Sequence, residues 1–164
     1  VFIFGYGRIG QQVASLFQAF GCAVRAWDRD AGKVPQELWI DLAEGLGTAD
    51  ILSIHVSFDE QNRQLFDHAM LGNLKPGATL VNTARGELVD QDALFALMRS
   101  GQIHAAALDV LADEHLTMPA AVQQALVEFG SRLLITPHIG GFTWESLEAV
   151  EIFMADRLLE ALRQ

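Results

Sequence analysis

The chain has 164 residues, 51% of them hydrophobic, and a formal net charge of −10 at pH 7. A length of this order is typical of a single domain, and the negative charge disfavours nucleic acid and anionic membrane surfaces as partners. No apolar run approaches the roughly 18 residues that span a bilayer, and the one cysteine, Cys22, excludes an internal disulfide and fits a reducing cytoplasm.

Short apolar runs alternate along the chain with segments of helical periodicity. In chain order, the predicted elements are strand 1–4, helix 8–20, strand 23–27, helix 35–46, strand 50–55, helix 66–74, strand 78–82, helix 91–100, strand 103–108, helix 118–129, strand 133–136 and helix 143–163. The strands are apolar on both faces, as in a parallel sheet that helices cover on both sides. The alternation therefore predicts the α/β class, with a doubly wound, mostly parallel sheet of Rossmann type in three layers.

Two of the predicted helices carry an apolar face with helical spacing. The face of the first helix consists of Ile9, Val13, Leu16, Phe17 and Phe20. The face of the last helix consists of Leu147, Val150, Met154, Leu158 and Leu162. Thr143 is the predicted N-cap of the last helix, because a hydroxyl there accepts a hydrogen bond from the first turn.

A glycine-rich segment, G-x-G-x-x-G, lies between the first predicted strand and the first predicted helix. In this context the spacing is typical of a dinucleotide-binding loop. Gly5 permits a tight turn, Gly7 lets the backbone approach a pyrophosphate, and Gly10 lets the helix pack closely. The helix N-terminus at Arg8 and Ile9 then offers backbone N–H groups to the phosphates.

An acidic residue, Asp28, follows the second predicted strand. Its distance from the glycine loop is close to the ~20 residues expected for the carboxylate that binds the adenosine ribose. Such a carboxylate accepts hydrogen bonds from the ribose hydroxyls and repels a 2′-phosphate, which favours NAD over NADP. Arg25 and Arg29 lie nearby and are able to weaken this preference.

Four later stretches share an order and a composition that go beyond the fold. They are V-N-T-A-R-G-E-L-V-D at 81–90, A-A-L-D-V at 106–110, Glu114, and T-P-H-I-G-G at 136–141. Behind this glycine loop they closely resemble the NAD-binding domain of the D-isomer-specific 2-hydroxyacid dehydrogenases, over essentially the whole chain. The resemblance implies an NAD-dependent oxidoreductase that interconverts a D-2-hydroxy acid and a 2-oxo acid by hydride transfer.

The resemblance also implies three catalytic residues. His138 would exchange a proton with the substrate oxygen, a role that suits an imidazole at neutral pH. Glu114 would pair with this imidazole and favour its protonated form, and the adjacent Asp113 is the alternative partner. Arg85 would hold the substrate carboxylate and carbonyl oxygen, because its guanidinium is planar and always charged.

Further residues are implied as cofactor contacts. Asp109 would lie near the nicotinamide carboxamide, and Thr83 and Ala84 would border the cofactor through backbone atoms. Ser57 stands where the family often has proline, on the adenosine side of the site. The cofactor-binding set is then Gly5, Gly7, Arg8, Ile9, Gly10, Asp28, Ser57, Thr83, Ala84, Arg85, Asp109, His138, Gly140 and Gly141, and no metal is implied.

Members of the resembled family carry a second, substrate-binding domain. We expect residues 1–164 to form a single NAD-binding domain without it, and we expect such a fragment alone to have little activity. The resemblance implies a homodimer acting on a small 2-hydroxy or 2-oxo acid, and the cysteine count and net charge favour a cytoplasmic protein without nucleic acid or membrane partners. The stretch 116–131 is longer than the family pattern predicts. Two interpretations of the extra length are a helical insertion and an altered dimer contact. An alternative is an NAD(H)-sensing scaffold, since the C-terminal-binding-protein corepressors share this fold and these active-site residues.

Overall fold

A six-stranded parallel sheet forms the centre of the computed structural model, which describes residues 1–112 and 118–163. The strands are β1 (Phe2–Phe4), β2 (Arg25–Trp27), β3 (Ile51–Ile54), β4 (Ala78–Asn82), β5 (Ile103–Leu108) and β6 (Leu133–Ile135). Their order in the sheet is β2-β1-β3-β4-β5-β6, and every neighbouring pair is parallel. The predicted α/β class with a Rossmann-type parallel sheet is therefore confirmed.

Six α-helices connect or follow these strands in the described part of the chain. They are α1 (Arg8–Ala19), α2 (Leu42–Thr48), α3 (His68–Gly72), α4 (Gln91–Ser100), α5 (Ala120–Phe129) and α6 (Trp144–Leu162). Thr143 caps α6 as predicted, because its side chain accepts a hydrogen bond from the Ser146 N–H.

Two of the predicted helices were too long at their N-termini. The helix predicted over 35–46 begins only after Asp41, whose carboxylate accepts hydrogen bonds from the backbone of Ala43 and Glu44. The preceding segment instead forms a turn, and Trp39 makes a parallel bridge to Ala26 at the edge of the sheet. The helix predicted over 66–74 is confined to α3, which the side chain of Asp67 caps. Side-chain caps thus set both starts.

The core has two parts because successive strand residues point to opposite faces of the sheet. Phe2 and Phe4 pack in the larger cluster with residues of α2 to α5. Ile3 packs in the smaller cluster with Ala14 of α1 and Ala26 of β2. Burial on both faces explains why the strand sequences are apolar throughout.

The apolar faces predicted for α1 and α6 are covered only in part. In α1, Val13 and Phe17 of the predicted face pack against the smaller cluster. In α1 the buried residues are Gly10 and Ala14, and Phe20 is 82% exposed just beyond the helix. The first turn of α1 packs so closely that small residues make the contact. No residue of α6 is buried within the described part of the chain. Periodicity therefore identified both helices and part of the buried side of α1, but not which of the apolar side chains stay exposed.

Candidate functional site

The loops at the carboxyl ends of the strands carry most of the residues that the sequence predicts for the site. The chain runs from β1 outward to β2 and then returns to β3 on the other side of β1. A crevice therefore opens between the loops that follow β1 and β3, which is where ligands bind in open α/β sheets. Gly5 follows β1, and residues 55–57 follow β3.

The glycine loop has no room for larger residues at two of its positions. Gly5 has a φ of +98°, and a Cβ there would lie 2.8 Å from the backbone carbonyl of His55. At Gly10 a Cβ would lie 2.1 Å from the Gly5 carbonyl oxygen and 3.3 Å from Ile3 of β1. The start of α1 is thus pressed against the loop itself and against the strand behind it.

The middle glycine of the loop, Gly7, leaves the N-terminus of α1 open. Gly7 is the N-cap residue, no side chain among the described residues caps it, and a Cβ there would meet no atom within 4 Å. Arg8 and Ile9 are exposed in the first turn. The free N–H groups and the positive end of the helix dipole therefore face space that a pyrophosphate can occupy.

The carboxylate of Asp28 lies beside this loop. Its two oxygens accept hydrogen bonds from the backbone N–H of Tyr6, at 2.8 Å, and of Asp30, at 2.9 Å. Each oxygen keeps a lone pair for another donor. Of the two nearby arginines, Arg25 donates to the Glu37 carbonyl, while Arg29 is exposed.

A cavity of about 350 Å³ opens between α1 and the loops after β3 and β4. Its lining consists of Ile9, His55, Val56, Ser57, Phe58, Thr83, Ala84 and Arg85. Five residues of the predicted site, from three separate segments, thus share one cavity.

One imidazole in this lining is uncharged at neutral pH. Burial lowers the pKa of His55 to about 4, and its Nε2 lies 2.8 Å from the hydroxyl of the buried Ser53. His55 therefore contributes a polar but neutral wall to the cavity.

The turn after β4 presents Arg85. Its guanidinium is exposed, and Nη1 donates a hydrogen bond to the Ala84 carbonyl at 2.6 Å. Asn82, 1% exposed, donates from Nδ2 to the Arg85 carbonyl at 2.9 Å and accepts at Oδ1 from the Ala84 N–H at 3.0 Å. After the turn, Gly86 packs so tightly that a Cβ would lie 1.9 Å from the carbonyl carbon of Leu111.

Sequence reasoning did not identify Asn82. The available signal was an asparagine at the end of a strand directly before T-A-R-G, since Asn side chains often bond to backbone two residues further on.

The turn after β6 presents His138, which has a φ of +53°. Asp109, 7% exposed, reaches across from β5 and accepts hydrogen bonds from the Thr136 hydroxyl, the Ile139 N–H at 3.0 Å and the Gly140 N–H at 2.8 Å. Its backbone carbonyl also accepts from the His138 N–H at 2.9 Å. Asp109 therefore bonds to the chain both before and after His138 and stabilises the left-handed backbone conformation of this residue.

Burial acts to raise the pKa of Asp109, but the hydrogen bonds from the 136–140 turn outweigh it and the pKa lies below its ordinary value. The side chain is therefore a carboxylate at neutral pH, close to His138. Its described contacts are to the protein chain, and the predicted contact with the nicotinamide carboxamide stays a prediction. Gly140 and Gly141, also predicted as cofactor contacts, are exposed in the same turn.

The structure does not describe the residues predicted to pair with His138. Glu114 and its alternative Asp113 fall outside the described residues. Within residues 1–112 and 118–163, no group of three or more acidic, histidine or cysteine side chains is placed to hold a metal ion. Among the described helices, none combines the length and apolarity needed to cross a membrane.

Comparisons with known proteins agree on one family. The protein-family model described as "D-isomer specific 2-hydroxyacid dehydrogenase, NAD binding domain" matches residues 1–140. Hydroxypyruvate reductase of Thermotoga maritima is 33% identical over 162 residues, covering 98% of this chain and 52% of that protein. (S)-Sulfolactate dehydrogenase of Chromohalobacter salexigens is 37% identical over 163 residues, covering 96% and 51%.

A similar solved structure is that of D-lactate dehydrogenase with NAD⁺ from Lactobacillus jensenii. It has a TM-score of 0.85 at 30% sequence identity, and the match covers 99% of this chain and 52% of that one. The chain thus spans about half the length of these relatives.

Proposed function

The chain belongs to the D-isomer specific 2-hydroxyacid dehydrogenase family, whose NAD-binding domain it matches, and from this premise we propose that it serves the interconversion of a D-2-hydroxy acid and a 2-oxo acid. The observation that carries the proposal is the exposed guanidinium of Arg85 in the wall of the cavity beside the glycine loop. A fixed cation there meets the carboxylate common to all such substrates.

The residues present fit an NAD cofactor. The uncapped start of α1 and the open space at Gly7 suit the pyrophosphate, and the Asp28 carboxylate beside the loop suits the ribose hydroxyls. The same carboxylate disfavours a 2′-phosphate by repulsion, so NAD is preferred to NADP. When bound, the nicotinamide supplies or accepts the hydride.

The chain's own residues supply binding and proton transfer. Arg85 binds the carboxylate and polarises the carbonyl oxygen of the 2-oxo acid, so that negative charge developing on this oxygen is stabilised. His138 donates a proton to that oxygen during reduction and removes it during oxidation. Glu114 pairs with the imidazole and keeps it oriented for this exchange.

We extend the proposal to a single NAD-binding domain over residues 1–164 acting in a cytoplasmic homodimer. Exposed apolar side chains on two elements support self-association: Val127 of α5 is 87% exposed, and Leu158 of α6 is 61% exposed. The alternative of an NAD(H)-sensing scaffold gains no support, because the curated relatives are named as dehydrogenases and reductases.

The test is NADH oxidation by the complete natural protein, and not by residues 1–164 alone, with pyruvate, hydroxypyruvate, glyoxylate and 3-phosphohydroxypyruvate. We expect turnover of at least one of these acids, and we expect His138→Ala to remove most of it while leaving NADH affinity nearly unchanged. His104→Ala is the matched control, because His104 is exposed on β5 outside the site. NADH binding without turnover of any acid would contradict the proposal, as would a large loss of NADH affinity in His138→Ala.

A further inference from the structure

We propose that Asn82 is a positioning residue, which sets Arg85 at the place where it meets the substrate; this inference rests on the proposed function, in which Arg85 binds the 2-oxo acid. Asn82 is the last residue of β4 and is 1% exposed. Ser53, Asn82 and Asp109 are the buried polar residues of the described chain, and a buried polar side chain is stable only when its hydrogen bonds are made.

The amide of Asn82 fits the turn because its two ends differ. The NH₂ end meets the Arg85 carbonyl oxygen, and the oxygen end meets the Ala84 N–H. A carboxylate of the same shape offers acceptors only, so it would retain the bond from Ala84 and face the Arg85 carbonyl with a second oxygen. An apolar side chain would leave both backbone groups without their partner.

The position of the Arg85 guanidinium depends on this backbone anchor. The side chain is exposed, and the hydrogen bond described for it runs to the Ala84 carbonyl of the same turn. Beyond the turn, Gly86 lies against the backbone of Leu111 and cannot shift toward it. The turn is therefore fixed at its outer end by packing and at its inner end by the Asn82 amide.

Asn82 also joins the two halves of the site. Its backbone carbonyl accepts a hydrogen bond from the Asp109 N–H at 3.0 Å, and Asp109 holds the turn of His138. A change in the Asn82 side chain alters the Arg85 turn, whereas this backbone bond stays available. The effect should therefore fall on substrate binding by Arg85 and leave the cofactor loop, on the far side of β3, in place.

The variant Asn82→Asp tests the inference in the complete natural protein. We expect kcat/KM for the 2-oxo acid to fall about 100-fold, the order of loss caused by a displacement of about 1 Å in a substrate-binding group. We expect the dissociation constant of NADH to rise far less, by about fivefold at most, because the glycine loop and Asp28 are untouched and only the backbone contacts predicted for Thr83 and Ala84 lie in the altered turn. The matched control is Asn73→Asp, an identical change at an exposed position after α3, which should leave both values unaltered.

A double-mutant cycle with Arg85→Ala separates positioning from general structural damage. If Asn82 acts through Arg85, the change Asn82→Asp has almost no further effect on kcat/KM once Arg85 is removed. If Asn82 only supports the fold, the second change lowers kcat/KM by its full factor again and weakens NADH binding and thermal stability as well. That additive result would overturn the inference.

Binding of oxamate, a stable analogue of pyruvate, to the NADH complex gives a second measurement that needs no turnover. We expect the Asn82→Asp variant to bind oxamate at least about tenfold more weakly than the wild type. Wild-type turnover tests the proposed function, whereas the ratio between variant and wild type tests the role of Asn82. Unchanged oxamate binding in a folded variant would overturn the inference.

Discussion

The two turns that carry Arg85 and His138 are held by different kinds of side chain. The turn after β4 presents one backbone carbonyl and one N–H, and the amide of Asn82 matches them. The turn after β6 presents a hydroxyl and two N–H groups, all of them donors, and the carboxylate of Asp109 matches these. The balance of donors and acceptors in each turn thus decides which polar side chain can be buried beneath it.

The two solutions differ in electrostatics. The amide adds no charge beneath Arg85, whereas the carboxylate places a buried negative charge next to His138. A buried charge is tolerated only if it is well bonded, and Asp109 meets this condition with three donors from the turn. Substitutions in the two turns should therefore change the free energy of unfolding by different amounts and with a different dependence on pH.

The largest effect is expected at Gly86, in the turn after β4. A Cβ there would lie 1.9 Å from the carbonyl carbon and 2.1 Å from the carbonyl oxygen of Leu111, and backbone atoms cannot rotate out of the way. Gly86→Ala should therefore lower the free energy of unfolding by about 3 kcal/mol, at the upper end for overpacking. Urea denaturation measures this change.

The control for this substitution is Gly72→Ala at the end of α3, where an added Cβ meets no atom within 4 Å. Alanine favours a helix over glycine, so the control should be as stable as the wild type or slightly more stable. If the Gly86→Ala variant were as stable as the control, the β4 turn would be able to move and accommodate a methyl group, and the contrast between the two turns would be lost.

The next effect in size is expected for Asp109→Asn in the turn after β6. An amide there would point its NH₂ group at a backbone N–H and leave a buried donor without an acceptor. Hydrogen bonds to a charged group contribute more than neutral ones, so the free energy of unfolding should fall by about 2 kcal/mol at pH 7. Asp156→Asn on the exposed surface of α6 is the control for the loss of charge.

The effect of Asp109→Asn should depend on pH with a defined sign. Because the folded-state pKa of Asp109 lies below its ordinary value, its contribution to stability is present above about pH 4 and is lost as the pH falls through the folded-state pKa. The stability difference between wild type and variant should therefore be constant near neutrality and shrink in acid. A difference that stays constant down to about pH 2 would show that the charge is not the source of the effect.

Much of the fold and part of the site could be predicted from the sequence. Apolar runs of strand length placed all six strands, and a parallel sheet necessarily brings their carboxyl ends to one edge, where Gly5, Arg85 and His138 lie. These features depend on local pattern. The roles of Asp28, Arg85 and His138 in binding and catalysis remain predictions from the family resemblance.

The contacts beneath the β6 turn could not be predicted, for a physical reason, whereas those of Asn82 beneath the β4 turn are local and had a signal in the sequence. The side chain of Asp109 bonds to residues 27 to 31 positions further along the chain, so its role depends on the pairing of β5 with β6. The start of α2 and part of the buried side of α1 were also missed: Asp41 sets the start of α2, and the close contact at Gly10 places the start of α1 against the sheet. Periodicity does not report either effect.

The smallest effect is expected for Thr136→Val, which removes one of the three donors to Asp109 and keeps the shape of the side chain. The carboxylate retains the N–H groups of Ile139 and Gly140, so the free energy of unfolding should fall by only about 1 kcal/mol. Thr136→Ser keeps the hydroxyl and should lie closer to the wild type. The β6 turn, with three hydrogen bonds to one side chain, thus tolerates the loss of one, whereas the β4 turn, with two, does not. An effect of Thr136→Val as large as that of Asp109→Asn would mean that the hydroxyl, and not the pair of N–H groups, holds the turn of His138 in place.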